Sequence, residues 1–235
     1  MSKAGAGFAA RMTRLGKCYV WHDSAIEPGL LRKWLIERDL PPQAATIDGS
    51  GRGSAWRVQW QNTEFLFRIY RRGGAVAKFN RDRYVWLGAS HSRSAHEFRV
   101  LARLYQARLP VPRPAGSIAC RSGGFLYRAA LLTHWIDNIG SLASIDEEAA
   151  WFSAGQSIAM MHGHGVWHAD LNVHNILLDG NRQAWLIDFD RAKIGVHRQS
   201  VLAQNLERLL RSVRKVCPNL EHSRWPALLR GYRSL

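Results

Sequence analysis

Apolar and polar residues alternate or recur at helical spacing along most of the chain. Residues 28–39 space Leu31, Trp34 and Leu35 along one side of a predicted helix, which Pro41-Pro42 ends. Residues 55–60 and 64–70 alternate, predicting a hairpin that turns at Gln61-Asn62. A helix from about Ser94 to Gln106 would bury Phe98, Leu101 and Leu104. Pro110 to Pro114 reads as an extended connection, followed by strands near 116–120 and 125–132, with His134-Trp135-Ile136 as a hinge. A long helix, opened by a capping box of Ser144 and Glu147, should run to about His162 and lead into a loop at His168. Residues 199–216 set Val201, Leu202, Leu206, Leu209, Leu210 and Val213 against Arg208, Arg211, Arg214 and Lys215, an amphipathic helix. Residues 1–17 read as a loose tail and 71–93 as basic and irregular, and no internal repeat is visible.

Composition narrows the class. The 235 residues are 46% hydrophobic, enough for a sizeable core, yet no run of about 18 apolar residues predicts a membrane-spanning helix. Met1 to Gly7 lack a signal peptide's apolar block, so the expected compartment is the cytosol. Cys18, Cys120 and Cys217 are far apart and form no CxxC pair, so neither zinc nor a disulfide framework is expected. Thirty-three Lys and Arg against 18 Asp and Glu give a net charge of +15, which favours polyanionic partners. Ten tryptophans beside so many arginines also suit a membrane–water interface.

The densest chemistry lies in residues 166–190. His168, Asp170 and Asn175 stand on one loop; Ile-Leu-Leu and Ala-Trp-Leu-Ile strands then lead to Asp188-Phe189-Asp190. This is the spacing of a kinase catalytic loop followed by a metal-binding Asp-Phe. Phosphoryl transfer demands positioning and charge neutralisation more than covalent chemistry. Asp170 would orient a substrate hydroxyl, Asn175 and Asp188 would offer oxygens to Mg²⁺, and His168 would brace the loop. Upstream, Gly51-Arg52-Gly53 precedes the hairpin, where glycine lets backbone N–H groups approach phosphates. Kinases place a Lys on a following strand; here Arg68 occupies it, with Lys78 as the competitor. Glu97 is the candidate carboxylate partner, unless it serves to cap its helix with Ser94. His162, His164 and His168 straddle a helix end and do not form a convincing metal set.

With these residues in place, the chain resembles the lipopolysaccharide-core sugar kinases, the 3-deoxy-D-manno-octulosonic acid (Kdo) kinases among them. The matching pieces are Gly51-Arg52-Gly53, Arg68 to Gly74, Arg81 to Trp86, Glu97-Phe98-Arg99, Leu109 to Pro114, His168-Ala169-Asp170 and Asp188 to Arg191. The resemblance implies an α+β, two-lobed, protein-kinase-like fold: a small β-rich N-lobe, 1–135, and a mainly helical C-lobe, 136–235. It implies transfer of phosphate from ATP, with Mg²⁺, to the 4-hydroxyl of Kdo on a Kdo-lipid A precursor. The work would be done peripherally at the cytoplasmic side of the bacterial inner membrane, with no nucleic acid partner. It assigns Asp170 to catalysis, Asn175 and Asp188 to metal, and Arg68 with Glu97 to an ion pair beside the nucleotide. Arg71, Arg72, Arg81, Arg83 and Arg191 are candidates for the acceptor's phosphates and carboxylate. A heptose kinase of the same pathway remains open; an aminoglycoside-type phosphotransferase, which meets cationic drugs, is a poor match to a chain of charge +15, and a non-catalytic polyanion-binding protein of the same fold would have no need of Asp170, Asn175 and Asp188 together. Asp190 in place of the glycine after Asp-Phe, and the absence of an Ala-Pro-Glu segment, disfavour a protein substrate.

Overall fold

A computed structural model describes residues 7–47, 55–71 and 83–235. Contacts divide the chain into two compact units, Met1–Ala102 with Arg113–Trp135, and Arg103–Pro112 with Ile136–Leu235.

The first unit is a sheet with two helices. Its strands are β1 (Ala10–Leu15), β2 (Cys18–Asp23), β3 (Ala45–Thr46), β4 (Ala55–Trp60), β5 (Thr63–Ile69), β6 (Tyr84–Val85), β7 (Pro114–Arg121) and β8 (Leu126–His134). The helices are α1 (Pro28–Arg32), continued by a wider π turn over Lys33–Glu37, and α2 (Arg93–Gln106), whose last turn falls to the second unit. Among the described residues the sheet order is β1-β2-β7-β8-β5-β4-β3, with β6 on β8, and every pairing is antiparallel. The β4–β5 hairpin turns at Gln61-Asn62 as its alternation predicts, with Gln61 at φ 53°. Leu31, Trp34 and Leu35 of the first helical segment pack on Val20, Phe67, Ile118 and Leu132 of the sheet.

Three expectations need correction here. Residues 1–17 are not simply a loose tail, because β1 pairs with β2 along its whole length. It is an edge strand, mostly exposed, with only Thr13 and Leu15 half-buried, so it leaves little alternation in the sequence. Cys18 and Cys120 form a disulfide: separated by 102 residues, they are direct partners in the β2–β7 register, Cα to Cα 4.0 Å. Spacing along the chain carries no information about strand register, which is why a distant pair could not be matched. In a reducing compartment the same pair would stand as two buried thiols. Finally, Ser94 does not cap α2; Ser92 Oγ accepts from the Ala95 N–H at 3.4 Å, and Ser94 Oγ donates to the Ile118 carbonyl at 3.0 Å.

The second unit holds β9 (Gly140–Ser141), α3 (Glu148–Gly163), β10 (Val166–Trp167), β11 (Ile176–Leu178), β12 (Ala184–Leu186), β13 (Lys193–Ile194), α4 (Gln199–Val216) and α5 (Glu221–Arg233). The expected capping box does not form. Ser144 Oγ donates to the Ser141 carbonyl at 3.0 Å in a short turn before the helix, and Glu147 pairs with Arg182. α3 is apolar on most sides, burying Trp151, Ala154, Ile158 and Met161. It meets α5, which the sequence pattern did not reveal, backbone to backbone. A Cβ on Gly155 would stand 2.0 Å from the Leu228 carbonyl oxygen, and one on Gly231 2.0 Å from that of Phe152. Gly155→Ala must therefore push two helices apart. It is expected to lower stability by at least about 2 kcal/mol in urea titration, against a small gain at an exposed helical glycine.

Candidate active site

The loop after β10 is held from three sides within the second unit. His168 is fully buried, and its ring lies 4.8 Å from that of Phe189. Its Nε2 is 2.9 Å from the Ile187 carbonyl, and its Nδ1 accepts the Asp170 N–H at 3.1 Å. Those two partners require the neutral ring with its proton on Nε2, and burial lowers the His168 pKa accordingly. His168 therefore ties the base of this loop to the segment before Asp188, with both ring nitrogens committed to the main chain.

The Asp170 carboxylate is exposed, and Arg208 of α4 pairs with it. The Asp170 carbonyl accepts from Asn172 Nδ2 and from Asn175 Nδ2, both at 2.9 Å. Asn172 Oδ1 also accepts the His174 N–H at 2.9 Å, starting a single 3-10 turn over Val173–Asn175. With its Nδ2 turned to the loop, Asn175 presents Oδ1, a hard neutral donor, the other way. β11 and β12 pair as predicted, and the Ile187 N–H donates to the Asn175 carbonyl at 3.1 Å. Asp188 follows directly, at φ 64°, a left-handed conformation uncommon outside glycine. Such strain persists where surrounding bonds over-determine it, and the His168 and Asn175 contacts to Ile187 do so. One amide oxygen and one carboxylate form an oxygen donor set that fits Mg²⁺, which keeps waters and takes phosphate oxygens for the rest of its shell. No group of three or more His, Cys, Asp or Glu able to hold a metal occurs among the described residues.

Sequence reasoning missed the helix face that backs this loop. Asn205 is fully buried; its Oδ1 accepts the His168 N–H at 3.0 Å and its Nδ2 donates to the His168 carbonyl at 2.6 Å. Its Oδ1 also lies 3.1 Å from His162 Nε2, while His162 Nδ1 lies 2.8 Å from the Tyr232 hydroxyl. Ser212 Oγ accepts the Val173 N–H at 3.2 Å. Asn205, Arg208 and Ser212 recur at helical spacing on one side of α4, so this side is not merely packed on the lobe but serves the loop. The available signal was an asparagine between Leu202 and Leu209 in an otherwise apolar stripe.

In the first unit, Arg68 Nη2 reaches both Glu97 carboxylate oxygens at 2.7 Å. The Tyr70 hydroxyl donates to the same carboxylate, which is only 2% exposed. Arg93 lies over the Tyr70 ring at 5.4 Å. The geometry thus removes the helix-capping reading of Glu97. Gly51, Gly53, Lys78, Arg72 and Arg81 lie outside the described residues.

Three histidines also shape the pH response. Burial, helped by the Arg113 charge, lowers His134 to about 4, and burial lowers His162 and His168. Below pH 6.5 the unfolded chain takes up protons that the native state refuses. Stability is therefore whole above pH 6.5 and falls as pH drops toward 4. Urea titrations at pH 7 and pH 5 should show this loss, and His134→Gln should shrink the difference.

The model of the lipopolysaccharide kinase (Kdo/WaaP) family matches residues 41–232. The chain belongs to this family. A 3-deoxy-D-manno-octulosonic acid kinase of Xylella fastidiosa (strain M12) is 42% identical over 196 residues, 81% of this chain and 76% of the relative. One of Xanthomonas axonopodis pv. citri (strain 306) is 43% identical over 181 residues, covering 75% of this chain and 72% of its own. Among solved structures, WaaP in complex with acyl carrier protein aligns with TM-score 0.57 at 16% identity, covering 89% of this chain and 88% of that one. This likeness establishes the kinase-like fold. A Kdo/WaaP-family kinase is a phosphotransferase with an alcohol acceptor, so the non-enzyme reading is set aside.

Proposed function

We propose that the protein transfers the γ-phosphoryl group of ATP to the 4-hydroxyl of Kdo on a Kdo-lipid A precursor. The observation that supports it most is the loop in which Asp170 leaves its carboxylate exposed while its main-chain carbonyl accepts from Asn175 Nδ2, a bond that turns the Asn175 amide oxygen outward. In this reading Asp170 accepts the hydrogen bond of the acceptor hydroxyl and aligns it for in-line attack. Asn175 and Asp188 hold Mg²⁺, which when bound neutralises the phosphate charge. Arg68, oriented by Glu97, contacts the nucleotide phosphates by a fork of donors where other kinases use a lysine. The neutral His168 keeps the loop in register with the metal ligands through its bond to Ile187.

The proposed site of work is the cytoplasmic face of the inner membrane. No helix of the described residues is long and apolar enough to cross a bilayer. The charge of +15 supports attraction to anionic lipid, with each Lys or Arg near the surface worth about 1 kcal/mol. Arg191, exposed beyond Asp188, is a candidate for the acceptor's phosphates.

The test is transfer of labelled γ-phosphate from ATP, with Mg²⁺, to a Kdo-bearing lipid A precursor and to a heptose-bearing core acceptor in parallel. Label on the Kdo acceptor alone is expected. Label on heptose would change the acceptor and keep the mechanism, and label on neither would overturn the reading.

A further inference from the structure

The ion pair between Arg208 and Asp170 is unusual for a general base, because a cation on the carboxylate competes with the hydroxyl it must receive. Both side chains are about half exposed, 46% for Arg208 and 54% for Asp170, so neither is locked in place by packing. The neighbours of Arg208 on the same side of α4, Asn205 and Ser212, are committed to main-chain groups of the loop. Arg208 alone of the three reaches a side chain that faces solvent. It does so through Nη2, and its Nε and Nη1 make no hydrogen bond among the described residues. A guanidinium with donors to spare, set beside the group that receives the acceptor hydroxyl, is a receptor for an anion on that same acceptor.

Resting on the Kdo reading above, we infer that Arg208 recognises the acceptor's sugar carboxylate and thereby selects an acidic sugar. The acid group of Kdo sits on C2, two bonds along the ring from C4. A sugar that offers its 4-hydroxyl to Asp170 therefore presents its carboxylate to the adjacent guanidinium. On binding, Arg208 exchanges one carboxylate for another: it releases Asp170 and takes the substrate acid. The base is freed only when an acidic sugar is present. Neutral heptose lacks the competing anion and leaves Asp170 paired.

The test compares two Kdo glycoside acceptors, the free acid and its C1 carboxamide, with the full chain, ATP and Mg²⁺. With the native enzyme the carboxamide should lower kcat/KM by about 30-fold, the scale of a charge-assisted hydrogen bond. Arg208→Gln removes both the anion contact and the competitor for Asp170, so it should lose the preference, with the two acceptors within about threefold of each other. Arg208→Lys should regain part of the preference, since it restores charge without the fork. An unchanged thermal midpoint in both variants checks folding. If Arg208→Gln keeps the native acid-to-amide ratio, Arg208 merely positions Asp170 or contacts phosphate, and the proposal fails. Equal use of both acceptors by the native enzyme would also overturn it. No transfer to the free acid by the native enzyme would instead sink the Kdo reading itself, and this proposal with it.

Discussion

Replacing Asp170 with alanine is expected to lower kcat by about 10²–10⁴-fold, the range supplied by a positioned general base. ATP binding should change little, because the Asp170 side chain pairs only with Arg208 among the described residues, and its carbonyl, which holds Asn172 and Asn175, survives the substitution. Single-turnover phosphoryl transfer beside equilibrium ATP titration separates the two quantities. Near-normal turnover would show that the hydroxyl is oriented by some other group. Asp170→Asn is the sharper variant, since it keeps the shape and removes the charge that Arg208 pairs with.

Asp188→Ala is expected to act on the other quantity. Loss of this carboxylate removes one of two proposed protein ligands to Mg²⁺, so the Mg²⁺-dependent part of ATP affinity should fall at least about tenfold, with kcat falling alongside. Titration of ATP with and without Mg²⁺ measures this directly. The substitution also places alanine at φ 64°, where a residue without a polar side chain is disfavoured. Asp188→Asn controls for that backbone effect: it tolerates the conformation and should still lose the metal-dependent affinity. If both variants retained the Mg²⁺ effect, Asp188 would not be a ligand.

Elements with a buried face were legible in the chain. The β4–β5 hairpin, α2 and α4 alternate or repeat because one side meets the core and the other meets water. β1 left little such trace because only Thr13 and Leu15 of it are even half-buried. The loop from His168 to Asn175 was legible for a different reason. Asp170, Asn175 and Asp188 lie within a short stretch of chain, so their offsets go far toward fixing their geometry. Glu97 was ambiguous, since helix cap and ion pair use the same residue at the same place, and only the Arg68 and Tyr70 contacts across 29 and 27 residues decide between them.

The amino-acid order by itself determined the kinase-type loop, the two strands that separate it from Asp188, and a net charge of +15. These are local or additive properties, and the chain states them directly. Only tertiary structure brought Cys18 against Cys120, set Gly155 and Gly231 at a helix crossing, and turned one side of α4 toward His168, Asp170 and Val173. Each of these depends on register or on which side of a helix faces a distant loop. Packing decides such matters, and no spacing along the chain encodes them.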